Sequence, residues 1–156
     1  LVIEAAEMAE AGMPAADIVK ELEDLRAKVD ASFVIDTLEY LHKGGRCSSV
    51  AALGANLLKL KPCIEVVDGR MRVGKKYRGS LAAVLPVYAS DRLAGKSVRR
   101  KRVFITHSGC DAETVSLVRD KVESLGMFDE IIETRAGCTI TCHCGPGTLG
   151  VLFIRN

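Results

Sequence analysis

Gly145-Pro146-Gly147 constrains the C-terminal part of this chain more sharply than any other tripeptide in it. Proline has no N–H to give to a helix or a central strand, and the glycines favour turns. An element that precedes the tripeptide must stop there, and the next one must start anew. The apolar run Val151-Leu-Phe-Ile154 on its C-terminal side reads as a short buried strand. Between Thr139 and Val151 the chain also carries one imidazole, two thiols and three threonine hydroxyls. The pattern predicts His143 on a tight loop entering a strand, at the rim of a sheet. Polar groups held there by a rigid scaffold commonly build a ligand site. The plainer alternative is a glycine-rich turn whose His143, Cys142 and Cys144 are incidental.

Upstream, strand and helix signals alternate. Val2 to Ala11 reads as a helix stopped by Gly12, and Pro14 suits the first turn of a second helix. Ile18, Leu22, Leu25 and Val29 recur at helical spacing along that second helix. Phe33-Val-Ile35 is a short strand. Asp36 or Thr37 then caps a helix over Leu38–Lys43, with Gly44 as its left-handed stop. A further amphipathic helix is expected over Val50–Leu58. Asp68-Gly69 separates two strand-like runs, Pro62–Val67 and Arg70–Lys76, which is a strong hairpin signal. Ser80–Leu93 is apolar and alanine-rich, and Pro86 inside it predicts a kink or two short helices. Arg99-Arg-Lys-Arg102 reads as a solvated loop and strand entry before a strand at Val103–Thr106. Asp111–Leu125 is a helix, and Met127–Thr134 supplies another strand. The expected fold is α/β (α+β): a mixed sheet with a β-hairpin, covered by helices in two layers.

The 156 residues suffice for one domain with a sizeable core, and 48% hydrophobic against 27% charged residues is a globular balance. A net charge of +2 does not point to nucleic acid, and the basic run has no interleaved aromatics for base stacking. No apolar run approaches the roughly 20 residues that span a bilayer. The chain lacks an initiator Met and opens inside a helix, as expected of a fragment or processed chain. Cysteines 47, 63, 110, 138, 142 and 144 do not suggest disulfides in a chain of this size and core composition, so a reducing cytoplasm is expected.

Cys138, Cys142, His143 and Cys144 form the first candidate for chemistry. Their spacing lacks a Cys-x-x-Cys pair, and if residues 141–144 are extended, His143 points away from Cys142 and Cys144. His107, Cys110 and His143 are a second candidate, as a nucleophile and base, with no orienting third group evident. Gly44-Gly45-Arg46 and Gly145-Pro146-Gly147 match no phosphate-cradling pattern. Arg78 and His143 are a further candidate, as a clamp for an anionic ligand, because guanidinium offers planar paired donors and imidazole a switchable one.

Taken together, Asp36-Thr-Leu-Glu-Tyr-Leu-His-Lys-Gly-Gly-Arg-Cys-Ser48, Leu60-Lys-Pro62, Asp68-Gly69, Arg78 and Cys142-His-Cys-Gly-Pro-Gly-Thr-Leu-Gly150 resemble the DegV family of bacterial fatty-acid-binding proteins. The resemblance implies two domains with one long-chain fatty acid in the cleft between them. Residues 1–31 would lead in from a missing N-terminal domain, and residues 32–156 would form the C-terminal domain. It further implies that His143 and Arg78 lie near the head group, with Gly145, Pro146 and Gly147 shaping the loop. Arg46 would lie on the surface that meets a fatty-acid kinase, and that kinase, not this chain, would phosphorylate the acid. No cofactor and no metal is implied. Cys142 and Cys144 depart from the family's small hydroxyl or aliphatic residues, and Cys47 from its usual isoleucine. The exposed domain interface of such a fragment is expected to self-associate. The alternative is a stand-alone metal- or thiol-dependent enzyme using the Cys138/Cys142/His143/Cys144 cluster.

Overall fold

The structure, a computed structural model, describes residues 1–45 and 60–156. The helix expected over Val50–Leu58, together with Arg46 and Cys47, lies outside the described residues. Helices α1 (Val2–Glu10) and α2 (Ala15–Arg26) come first, and Pro14 stands just before α2, where its missing N–H costs nothing. Val29, expected on α2, instead opens strand β1 (Val29–Val34). Its helical spacing is overridden by pairing with Ile154 across the sheet. The boundary between residues 31 and 32 therefore falls inside β1.

Strands β2 (Leu60–Val67) and β3 (Arg70–Arg78) form the hairpin that Asp68-Gly69 predicts. Asp68 and Gly69 take φ values of 51° and 71°, the positive pair that a two-residue hairpin turn needs. Strand β4 (Val98–Ser108), helix α5 (Ala112–Ser124) and strand β5 (Ile131–Arg135) make a parallel crossover unit, and β6 (Thr148–Arg155) completes the sheet. The order is β3-β2-β1-β6-β4-β5, antiparallel everywhere except β4–β5.

One face of this sheet is sealed. Val34 of β1, Leu149, Val151 and Phe153 of β6, and Val103 and Ile105 of β4 pack under α5 and α4 (Leu81–Leu93). Tyr88 of α4 is fully buried, and its hydroxyl donates to the Ser32 carbonyl at 2.7 Å and accepts from Val151 N–H at 3.0 Å. Of the two outcomes expected at Pro86, division into two short helices does not occur: α4 runs through it. Val84, Leu85, Tyr88, Ala89 and Leu93 are buried on both sides of it, so packing on the sheet holds one continuous helix. Ser80 caps that helix by accepting from Ala83 N–H, and Asp111 caps α5 by accepting from Thr114 N–H.

The basic run is not a loop. Arg99 to Arg102 lie within β4, and each finds acid. Arg102 is buried and pairs with Glu4 at 3.2 Å, with Glu130 at 3.3 Å, and with Glu7. Arg99 pairs with Glu4, Lys101 with Glu7, and Arg100 with Asp129. Glu4 and Glu7 belong to α1, which is thereby tied to one end of the second sheet face. No described helix is long and apolar enough to cross a membrane.

Candidate functional site

The second face carries the site. Alternation along the strands places Val29, Ala31 and Phe33 of β1, Leu152 and Ile154 of β6, and Phe104 and Thr106 of β4 on it. All seven are half-exposed, whereas their neighbours on the sealed face are buried. Gly150 lies between Phe33 and Thr106, level with both, and a Cβ there would come 2.7 Å from the Ser32 carbonyl oxygen and 3.2 Å from Phe33 Cβ, so glycine lets the strands pack closely at this point. At the α1 end the strip deepens into a cavity of about 240 Å³ lined by Ile3, Val29, Phe104, Leu152 and Ile154, with Glu4 and Arg102.

The other end of the strip is closed by two short helices, α3 (Glu39–Lys43) and α6 (Cys138–Cys144). Leu41 of α3 and Cys144 of α6 pack with Ile35 and Ile64, against partly buried Phe33, Met71 and Val73. The sequence predicts a loop at His143, but residues 138–144 are helical and His143 lies in the last turn. Three residues of this segment are threonine or isoleucine, poor helix formers, so the tertiary anchor at Cys144 decides the outcome. Within α6, Thr141 N–H donates to the Gly137 carbonyl at 3.0 Å, and at its end Gly145 N–H donates to the Thr141 carbonyl at 2.8 Å. A side-chain chain also pins the helix: Ser108 Oγ donates to Thr141 Oγ1 at 3.1 Å, and Thr148 Oγ1 donates to the Cys144 carbonyl at 3.0 Å.

Gly145 ends α6 at φ 81°, and a Cβ there would lie 2.8 Å from Cγ and Cε2 of Tyr40. Gly147 N–H donates to the Ser108 carbonyl at 2.7 Å, and a Cβ on Gly147 would lie 2.8 Å from Leu81 and 3.3 Å from Asp36 Cβ. Asp36 is itself held by Lys61, whose Nζ donates to its carboxylate and, at 3.2 Å, to its carbonyl. The Gly145-Pro146-Gly147 loop is thus gripped by Tyr40, Asp36, Leu81 and Ser108, none of which sequence reasoning assigns to it. The signal for Tyr40 and Asp36 is nonetheless present in the sequence, since both belong to the Asp36–Ser48 stretch.

Arg78 stands exposed at the end of edge strand β3, three residues before Leu81. It makes no ion pair among the described residues, and the structure does not bring it into hydrogen-bond contact with His143. Arg46 lies outside the described residues. The left-handed glycine after α3 is Gly45, at φ 68°, not Gly44, at φ −77°. Thr37 Oγ1, rather than Asp36, accepts from Glu39 N–H at the start of α3, at 3.3 Å.

The cysteines are dispersed in environment. Cys138 and Cys142 are exposed, one helical turn apart, while Cys144 is buried. Burial pushes the Cys144 thiol up, the Cys110 thiol up to about 11 and the Cys63 thiol up to about 12. Those three are protonated at neutral pH and are poor nucleophiles. His107 is buried on the sealed face, its Nε2 3.4 Å from Glu133 Oε1, and does not reach the His143 rim. No group of three His, Cys, Asp or Glu side chains among the described residues is placed to hold a metal.

A mixed sheet sealed on one face, with a half-open apolar strip and a polar rim on the other, defines an α/β domain built around a groove. The whole of it, residues 1–156, matches the family model described as an uncharacterised protein of the DegV family. The chain belongs to the DegV family. It is 32% identical over 148 residues to the fatty acid-binding protein of Thermotoga maritima, covering 94% of this chain and 51% of that protein. The structure of a fatty-acid-binding DegV family protein from Thermus thermophilus superposes with a TM-score of 0.82 at 30% identity, over 99% of this chain and 55% of that one. The Streptococcus pneumoniae fatty acid kinase B3 protein, solved with linoleic acid, gives a TM-score of 0.83 over 99% of this chain and 54% of that one. At 17% identity that likeness is one of fold. The chain spans about half the length of the curated relatives it matches.

Proposed function

We propose that this chain forms one wall of a cleft that holds a long-chain fatty acid, and that an N-terminal domain outside this sequence forms the other. In this reading residues 1–31 lead in from that domain and residues 32–156 are the C-terminal domain of a cytoplasmic carrier. The acyl chain lies along the half-open strip, and its carboxylate sits at the rim near His143 and Arg78. Arg46 lies on the surface that meets a fatty-acid kinase, which phosphorylates the presented carboxylate. The chain itself catalyses nothing and uses no cofactor.

The observation that carries this reading is the strip of seven half-exposed residues on three central strands, running from the α1 end, where Arg102 and Glu4 already pair with each other, to the rim at α3 and α6. Central strands are ordinarily covered on both faces or alternate apolar with polar. Here the seven residues of the strip are apolar apart from Thr106. Each methylene buried against it contributes about 0.8 kcal/mol, so a long acyl chain is held by length and its polarity is fixed by few groups at one end. The test is mass spectrometry of solvent extracts of the full-length protein beside metal analysis of the same sample. About one fatty acid per chain without stoichiometric metal is expected from this proposal. A lipid-free protein that carries stoichiometric zinc sinks it.

A further inference from the structure

The imidazole of His143 rests directly on Gly44. A Cβ built on Gly44 would overlap Nδ1 and lie 3.0 Å from Cε1 of that ring. Gly44 has φ −77°, a conformation open to any residue, and Gly45, at φ 68°, already supplies the left-handed residue after α3. The backbone therefore does not ask for glycine at position 44. The demand is steric and comes chiefly from His143, with the Tyr40 carbonyl oxygen a further 3.1 Å contact for such a Cβ. Nδ1 is buried at this contact and has no hydrogen-bond partner among the described residues.

A neutral imidazole carries one N–H, on either nitrogen. Placed on Nδ1, that N–H would be buried against the Gly44 carbon with no acceptor among the described residues. Orphaned buried donors are rarer in proteins than under-satisfied acceptors. Placed on Nε2, the proton leaves Nδ1 as a bare lone pair and points off the far edge of the ring. We propose that Gly44 is a positioning residue for His143: by having no side chain it seats the ring with Nδ1 buried, and so fixes the neutral imidazole as the Nε2–H tautomer. The proposal rests on the reading of His143 as a head-group residue and adds a chemical preference to it. The rim then offers one N–H donor, which suits a ligand end that accepts, such as a carboxylate or acyl phosphate oxygen, and disfavours an ammonium group.

The tautomer is measured by long-range proton–nitrogen correlation on full-length protein labelled in histidine, at alkaline pH, with His143→Ala assigning the signal. The Nε2–H pattern is expected in the unmodified protein. Gly44→Ala must push the ring, and it is expected to lose that single pattern while remaining folded by circular dichroism. Palmitate binding should weaken by roughly tenfold to a hundredfold, the loss of one hydrogen bond to a charged group. An Nδ1–H pattern in the unmodified protein overturns the proposal without any variant. So does a folded Gly44→Ala protein whose tautomer and palmitate affinity are unchanged. An Nε2–H tautomer in a protein that binds no palmitate upholds the seat on Gly44 and removes the head-group reading instead.

Discussion

The Tyr40 ring lies across the Cα of Gly145, so that a Cβ at position 145 would come within 2.8 Å of two ring carbons and closer to a third. Gly145 also sits at φ 81°. Gly145→Ala therefore combines backbone strain with a clash against α3. We expect a loss of about 2–4 kcal/mol, read as a lower urea midpoint of the full-length protein. Tyr40→Ala in the same background should recover the steric part only; an additive double variant would show that the two do not interact.

Tyr88→Phe removes one hydroxyl and leaves the Val151 N–H, in the middle of central strand β6, without its side-chain acceptor. Losing the hydroxyl's bonds to Val151 N–H and to the Ser32 carbonyl in the core costs about 1–3 kcal/mol. Urea denaturation reads the change, which should appear as a shifted midpoint with an unchanged slope.

Acid should weaken the fold through Glu7 and Asp91. Hydrogen bonds from Lys101 and then Arg102 hold Glu7 below its ordinary 4.5, and Lys75, with Tyr77, holds Asp91 below 3.8. Each binds fewer protons folded than unfolded, so its contribution is present above the ordinary value and is lost as pH falls through the folded one. Stability is expected to decline below pH 4.5 as these groups protonate. The Glu7→Gln variant should start lower at neutral pH and decline less steeply, which a urea series at several pH values would measure.

Arg78 and Arg46 are expected to separate. In full-length protein, Arg78→Ala should disturb the head-group end and weaken palmitate binding, since a guanidinium–carboxylate contact is charge-assisted. Arg46→Ala should leave bound lipid in place and weaken kinase docking. Lipid content by extraction and docking by calorimetry distinguish the two, and a lipid-free Arg46→Ala protein that docks normally would reverse the roles.

Expressed alone, residues 1–156 should fold yet fail to keep a fatty acid. With half of a sixteen-carbon tail left wet, roughly seven methylenes at about 0.8 kcal/mol each are lost, on the order of 5–6 kcal/mol. That is about four decades of affinity. The uncovered strip should drive self-association, visible as excess mass in solution. A monomer carrying one fatty acid per chain would show that this domain holds the ligand unaided.

Local chemistry made much of the fold legible. Asp68-Gly69 needs only its own φ values to form a hairpin, and Asp111 caps α5 from within its own turn. The features that depend on distant residues were not legible. Arg102 lies in a strand because Glu4, far back in the sequence, neutralises it. Pro86 stays in a helix because Leu85 and Tyr88 bury themselves on strands that come before and after it. At the rim, the Asp36–Ser48 and Cys142–Gly150 stretches were readable as separate motifs. Their meeting through Tyr40 on Gly145 and Gly44 on His143 is a fact of α3 and α6 packing that no periodicity carries. The helical state of α6 is the clearest case, since Thr139, Ile140 and Thr141 argue locally against it.

Strand β6 comes after every other strand in the sequence and stands inside the sheet, between β1 and β4. During synthesis the β3-β2-β1 half and the β4–β5 half exist as separate pieces with no shared hydrogen bonds until residues 148–155 have left the ribosome. Both halves then present an unpaired inner edge, the kind of surface that invites wrong partners. Assembly of the domain is accordingly a late and nearly all-at-once event, governed by a single insertion. A nascent chain stalled before Thr148 should be protease-sensitive throughout its strands, not merely at its unfinished end.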